Sequence, residues 1–355
     1  MIIVSEHHIS IDQVDFYLPN NRCAVIEYCQ TEPDPFSIEK METIWKPGFL
    51  DPEFQYRFFS SSTARSNVNF ARPTKGEAAE FARRIGAEWV YCAAEETASD
   101  MAVKVVNQIL NRAPGLSKEI GLVIHYHSTL NQKLYSSTPG RLQHEAGLNG
   151  ASGFSVSQKN GAVSLIAMRI AIEALIAEPD LKSVLLAGSD KLVPPYERVF
   201  GKRVMMGDSA SAMIIRRGGK RCRPLALNFA DFPEWWNPYH YDEERMRSFE
   251  QFLAEQSRRL LHDTLSGLGI GWREVALLLP PNLNPSFIRL LSSKAELPAD
   301  KIYARNISRY GYLMASDPAI NLKTALDEGA VKPQDIILAL NLGLAQSIGC
   351  VALQV

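Results

Sequence analysis

The segment SVLLAGSD, residues 183–190, constrains the fold more than any other stretch, because it is a strand with no polar alternation. A strand apolar on both faces belongs in a sheet covered on both sides, as parallel and mixed sheets are. It follows a long apolar helix, AVSLIAMRIAIEALIAE, and a break at Pro179, and it precedes a second strand, GDSASAMIIRR. The last third repeats this order. The helix SFEQFLAEQSRRLLHDTLSGLG leads to the strand EVALLLP, and a further helix starts near Pro285 and runs through SFIRLLSSKAEL. NLKTALDEG is helical with Gly329 as its C-cap, and IILALNL and GCVALQV close the chain as adjacent strands. The simplest reading is an α/β protein of two similar βα halves, residues 1–215 and 216–355, on parallel or mixed sheets.

The first half carries its own signals. HISIDQVDFYLPNN reads as a strand stopped by Pro19-Asn20-Asn21. Thr97 or Ser99 caps a helix through DMAVKVVNQILNRA, with Val105, Val106, Ile109 and Leu110 on one face. GLVIHYHST is a strand, and TPGRLQHEAGL a short helix ending at Gly147. Residues 30–75 are irregular and aromatic (Trp45, Phe49, Phe54, Tyr56, Phe58, Phe59), which predicts a loop-rich insertion too short to hold a core.

Composition narrows the function classes. The chain has 355 residues, 46% apolar, with a formal net charge of −1. No basic field exists to hold a nucleic-acid backbone. The nearest basic run, Arg216-Arg217 with Lys220-Arg221, reads as a turn between strands. No run approaches 18 consecutive apolar residues, so no membrane span is expected. MIIVSEHHISID lacks the regions of a signal peptide, which predicts a cytoplasmic protein. The five cysteines (Cys23, Cys29, Cys92, Cys222, Cys350) are odd in number with no C-x-x-C spacing, so neither a disulfide framework nor a zinc site is expected.

Four segments carry a specific likeness. Glu96-Thr97-Ala98-Ser99-Asp100-Met101-Ala102 resembles an E-T-x-S-x-M-[AG] helix start, and Gly207-Asp208-Ser209-Ala210-Ser211-Ala212 a G-D-G-A-[GS]-A strand entry. Phe154-Ser155-Val156-Ser157 resembles the start of an F-D-V-x-A-x-C nucleophile segment. Leu326-Asp327-Glu328-Gly329-Ala330-Val331-Lys332-Pro333 resembles a helix end before a last hairpin. These are segments of the thiolase superfamily, and within it of the ketoacyl-ACP synthase III group. The likeness runs from about residue 77 to 355, with Tyr17-Leu18-Pro19 on the first strand. It implies the thiolase fold, a layered α-β-α-β-α core, and a homodimer. In that family a cysteine at a helix N-terminus takes an acyl group from CoA, and a His and an Asn hold a malonyl thioester as it decarboxylates and condenses.

The same likeness places other residues at those three positions. Asn160 stands where the cysteine is expected, and a carboxamide is no nucleophile at neutral pH. The V-P-H-Q-A-N segment reads Leu279-Pro280-Pro281-Asn282-Leu283-Asn284, which puts Pro281 at the histidine and keeps Asn284, a residue the likeness assigns to the pantetheine channel. H-G-N-T-S-A reads Tyr310-Gly311-Tyr312-Leu313-Met314-Ala315, which gives Tyr312 for the asparagine, and the G-G-G-F turn has become Gly343-Leu344-Ala345-Gln346. Neither condensation nor plain decarboxylation is therefore expected.

Replacement chemistry has few candidates. His125 and His127, at i and i+2, share one sheet face, so His127 with Ser128 is a candidate general base; the alternative is a polar pair satisfied at a subunit interface. Ser157 and Lys159 adjoin Asn160, though a serine without a paired base is usually structural. Cys92 reads as a surface thiol, and Trp235-Trp236 with Tyr239 and Tyr241 as an aromatic cluster. Arg84 resembles an arginine facing CoA or a carrier protein. No metal and no bound cofactor are expected; acyl-CoA or acyl-phosphopantetheine is the implied substrate class. Three functions follow: a non-condensing partner or scaffold subunit in a fatty-acyl or polyketide-type pathway, paired with itself or an active ketosynthase III-like relative and an acyl carrier protein; direct acyl transfer to an O- or N-nucleophile; or an acyl-thioester or lipid binding module.

Overall fold

The structure is a computed structural model describing residues 1–31, 74–129, 136–193, 198–200, 203–219, 221–236, 242–344 and 346–355. Most of the aromatic insertion, and Tyr239 and Tyr241, lie outside the described residues.

Two five-stranded mixed sheets form the frame. In the first the spatial order is β2 (Ile9–Tyr17), β10 (Ser209–Arg217), β7 (Ser183–Asp190), β5 (Ile120–Tyr126) and β6 (Ser152–Val156). In the second it is β1 (Ile2–Ile3), β11 (Arg223–Asp231), β14 (Ser347–Gln354), β13 (Ile336–Gly343) and β12 (Val275–Leu279). β7 pairs parallel with β5 and antiparallel with β10; β13 pairs parallel with β12 and antiparallel with β14. Two-stranded ribbons β3/β4 (Arg22–Ala24, Trp89–Tyr91) and β8/β9 (Val199–Phe200, Val204–Met205) flank this frame.

The period-2 alternation of strands sorts the side chains into layers. Val184 and Leu186 of β7, and Ile337 and Ala339 of β13, join one cluster with the helix Val163–Ala177 and the helix Asp317–Asp327. Those two helices therefore lie between the sheets. Leu185 and Ala187 turn the other way, onto the helix Ala98–Arg112. Leu338, Leu340 and Leu342 turn onto the helices Glu243–Leu268 and Pro285–Ala295. The result is the α-β-α-β-α order of the thiolase fold. All eight residues of β7 are buried, as a strand without alternation requires.

The middle helix and its entry turn, Asn160–Ala177, have a mean hydropathy of 1.6 over 18 residues, enough by composition alone to cross a membrane. The helix instead packs between two sheets, which explains its apolar length, while Arg169 and Glu173 pair at 3.0 Å on its exposed side. The start of Ala98–Arg112 follows its sequence signal: Thr97 and Asp100 form a reciprocal capping box.

Arg216 and Arg217 correct the turn expected there. They end β10, and the turn begins at Gly218, whose φ is +73°. Arg216 stays in the strand because its guanidinium meets Glu119 at 2.9 Å and Asp12 at 3.5 Å. Lys220 lies outside the described residues.

Candidate active site

The entry to the middle helix is a short 3-10 turn, Asn160–Ala162, running straight into Val163. The helix dipole therefore places partial positive charge at this turn. Gln158 (φ 69°), Asn160 (φ 45°) and Met314 (φ 53°) all adopt left-handed backbone. Such conformations cost on the order of 1–3 kcal/mol each and gather at functional sites.

Two polar clamps bring distant segments to this turn. The Asn341 side-chain amide donates to Gly161 O at 2.7 Å and to Met314 O at 3.2 Å. The buried Asp317 carboxylate accepts from Asn282 N at 2.7 Å, from the Asn282 side-chain amide at 3.1 Å and from Leu313 N at 3.0 Å. Asn321 adds a bond to Pro280 O at 2.7 Å. Thus the segments carrying Asn160, Pro281 and Tyr312, far apart in sequence, meet at the N-terminal end of one helix. The last hairpin closes on the same place. A Cβ on Gly343 would fall 2.5 Å from Lys159 O, and Ser347 Oγ donates to that oxygen at 3.3 Å.

The side chains at the three matched positions, and Lys159 and Ser157 beside them, have little acid–base or nucleophilic capacity. Asn160 is half-buried and offers a carboxamide. Pro281 is buried and has no titratable atom. Tyr312 is 1% exposed, and its hydroxyl donates to Leu342 O at 3.5 Å. Burial first, then the charges of Asp317 and Asp190, hold its phenol well above the usual range, so it stays neutral. Lys159 is ion-paired with Asp231 at 2.7 Å. Among the described residues Ser157 Oγ has no hydrogen-bonded base.

The two histidines diverge in role. Their rings stack with centroids 5.3 Å apart, as i and i+2 on one strand face require. His125 is fully buried, with Nδ1 3.3 Å from Ser155 Oγ and Nε2 3.1 Å from Ser189 Oγ, both on neighbouring strands of its own sheet. Burial, then the neighbouring His127, push its pKa down to about 3. It is a neutral structural histidine. His127 is half-buried, and its Nδ1 lies 2.6 Å from Thr129 O. That contact fixes the proton on Nδ1 and leaves the Nε2 lone pair to act.

The sequence reading missed Asp190. It is fully buried, and its Oδ1 accepts from Ser128 N at 2.6 Å and from Thr129 N at 2.8 Å. Its pKa is raised by burial despite these bonds. Only its place at the end of a buried strand could have flagged it. No group of three metal-ligating side chains exists among the described residues.

The remaining expected residues have structural partners. Asn284 caps the helix Pro285–Ala295, accepting from Phe287 N at 2.8 Å and donating to Arg203 O at 3.2 Å. Arg84 is exposed on the helix Lys75–Ile85 and pairs with Glu80 at 3.0 Å. Cys92 is half-buried rather than on an open turn, its N–H bonded to Asn21 O at 3.0 Å. Trp235 packs on Phe249 and Phe252, while Trp236 is exposed.

Asp317 gives a pH test. Burial raises its pKa from 3.8 to about 7 against its three hydrogen bonds. Folding therefore takes up a proton between about pH 4 and 7. The group's contribution is fully present below that window and is lost as pH rises through it. The loss is on the order of 4 kcal/mol. Urea unfolding at pH 5 and pH 8 is expected to show a larger loss for the wild type than for Asp317→Asn. Equal losses in the two proteins would overturn this.

Known proteins resemble this chain in sequence and in fold. Residues 265–355 match the family model for the 3-oxoacyl-[acyl-carrier-protein (ACP)] synthase III C terminal. The beta-ketoacyl-[acyl-carrier-protein] synthase III of Aquifex aeolicus strain VF5 is 28% identical over 269 residues, covering 74% of this chain and 85% of that protein. The crystal structure of the 3-oxoacyl-[acyl-carrier-protein] synthase III from Aquifex aeolicus VF5 has a TM-score of 0.71 at 23% identity, covering 98% of this chain and all of that one. OleA of Xanthomonas campestris, solved with lauric acid and lauroyl-CoA bound, has a TM-score of 0.74 at 13% identity, covering 98% and 99% of the two chains.

Proposed function

We propose that this chain, similar in sequence and fold to ketoacyl-ACP synthase III proteins of the thiolase superfamily, is a non-condensing partner or scaffold subunit of a fatty-acyl or polyketide-type pathway. One observation carries the reading. The three segments that meet at the head of the middle helix present a carboxamide, a proline and a buried neutral phenol, with no nucleophile and base in contact. A pseudoenzyme of this kind keeps the shape of a thioester site without the covalent step. Acyl-CoA or acyl-phosphopantetheine is its ligand class and an acyl carrier protein its delivery partner, with Arg84 and Asn284 on the approach. The reading places the protein in the cytoplasm.

The subunit contact of this proposal is β6. Among the described residues it is the outer strand of its sheet, paired only with β5, and Ser152–Ser155 are exposed, with Phe154 at 41%. An unpaired, exposed strand edge is a template for pairing with another chain. A second copy, or a ketosynthase III-like relative with its Cys, His and Asn in place, is expected to continue the sheet there. Phe154→Asp is expected to convert a dimer at 10 µM (on the order of a typical working concentration) largely to monomer in sedimentation velocity. An unshifted dimer would move the interface elsewhere. Co-expression with such a relative tests the partner role: recovery of homodimers alone would defeat it.

A second reading rests on His127, whose Nε2 lone pair is left available by the Nδ1–Thr129 contact. It is direct acyl transfer, in which His127 takes the proton of an O- or N-nucleophile as that atom attacks the thioester carbonyl, then returns it to the departing thiolate. His127→Ala is expected to abolish such turnover with the fold intact; full activity in that variant would exclude it.

A further inference from the structure

Two constraints of different kinds hold His127. Its ring stacks on His125 at 5.3 Å with an interplanar angle of 23°, and His125 is itself held on both sides by Ser155 and Ser189. Stacking fixes the plane of the His127 ring. It does not decide which way round the ring lies, since a half-turn about the Cβ–Cγ bond leaves the stack unchanged. The bond from Nδ1 to Thr129 O, 2.6 Å, decides that. The availability of Nε2 as a base therefore depends on where one carbonyl stands.

Asp190 places that carbonyl. Ser128 N, Thr129 N and Thr129 Oγ1 all donate to Asp190 Oδ1, at 2.6, 2.8 and 3.1 Å. Lys191 N donates in turn to Thr129 Oγ1 at 3.1 Å, so the residue after Asp190 locks the same hydroxyl. Asp190 is the last residue of β7, in register with Ser209 of β10, and is 0% exposed. A buried carboxylate at the end of a paired strand is a fixed anchor, and three bonds to one of its oxygens tie the 128–129 turn to it.

The links run from carboxylate to turn, from turn to carbonyl, and from carbonyl to imidazole. In a Ser-His-Asp triad the carboxylate touches the imidazole and sets its tautomer directly. Here it acts one step back, through the backbone. Among the described residues nothing is hydrogen-bonded to His127 Nε2. We propose that Asp190 is the positioning residue of His127, holding the 128–129 turn so that Thr129 O keeps the imidazole as its Nδ1–H tautomer with the Nε2 lone pair as proton acceptor. Its part in proton transfer rests on the direct-transfer reading; the orientation of the ring does not.

The test reads the imidazole nitrogen shifts of histidine-labelled protein at about pH 8.5, above the ordinary histidine range, with His127 assigned through His127→Gln. The wild type is expected to carry the His127 proton on Nδ1. Asp190→Ala is expected to move it toward Nε2, the form free histidine prefers. Asp190→Asn, which keeps an acceptor oxygen, is expected to hold it on Nδ1. Thr129→Val removes one of the three bonds and is expected to move it partway; it carries the test if Asp190→Ala does not fold. A wild type with the proton on Nε2, or a folded Ala or Val variant with an unchanged tautomer, would overturn the proposal. Turnover of butyryl-CoA with ethanolamine as acceptor is followed in the same proteins. Asp190→Ala is expected to lower kcat on the order of 10²-fold, within what a positioned base supplies, with KM little changed. A shifted tautomer with kcat unchanged would overturn the part of Asp190 in transfer. A wild type that holds the Nδ1–H form and turns nothing over would defeat direct transfer and leave the positioning standing.

Discussion

Gly161→Ala is expected to destabilise the protein by about 3 kcal/mol, the upper end of what overpacking a core costs. The added Cβ would lie 2.4 Å from Leu342 O, 2.9 Å from Tyr312 Oη and 3.2 Å from Asn341 Oδ1. Only the tyrosine tip can move. Leu342 O belongs to β13, held at that point by its register with Ile348 of β14, and Asn341 is held by Gly161 O and Met314 O. Relief must come from shifting the 160–162 turn, and that breaks the Asn341 clamp and leaves buried carbonyls unsatisfied. Urea unfolding with an unchanged slope and a lower midpoint would show the loss. An effect under 0.5 kcal/mol would mean that the turn does not sit against β13 as described. Gly271→Ala is the control, since the nearest atom to its Cβ is a glutamate side-chain oxygen at 3.5 Å.

That tight junction also marks what sequence can and cannot carry. The layered fold was legible because its signals are local. SVLLAGSD has no alternation and is buried along its length, and AVSLIAMRIAIEALIAE is mostly apolar and lies between two sheets. Thr97 and Asp100 are three residues apart and cap their helix as their types predict. The clamps were not legible. Asn341 acts on Gly161 across 180 positions, and Asp317 on Asn282 across 35. Nothing near either residue in sequence marks it as a clamp rather than a surface polar residue. Asp190 escaped notice for the same reason, its partners Ser128 and Thr129 being about 60 positions away. β1 has two residues, too few for any periodicity. Likeness to a family placed Asn160, Pro281 and Tyr312 on one site; the residues' own properties could not have done so.

Asn160→Cys is expected to turn a protein that takes up no acyl group into one that does so nearly stoichiometrically. Position 160 lies where the dipole of the middle helix lowers the pKa of a thiol, and a thiolate is the species that attacks a thioester. Its φ of 45° suits asparagine; cysteine pays about 1 kcal/mol more there, which a domain of this size tolerates. Intact-protein mass after incubation with a panel of acyl-CoA thioesters and acylated carrier protein reads the result. The wild type is expected to keep its mass, and the variant to gain one acyl increment that peptide mapping places at residue 160. Malonyl-CoA is not expected to discharge that increment as a condensation product, because the segments of Pro281 and Tyr312 supply no pair of groups to hold the malonyl carbonyl as carbon dioxide leaves. An increment on the wild type at Ser157, Lys159 or Cys92 would show a surviving nucleophile and end the non-covalent reading. A folded Asn160→Cys protein that stays unacylated would separate the head of the middle helix from the thioester site, and the replaced positions would then have no bearing on function.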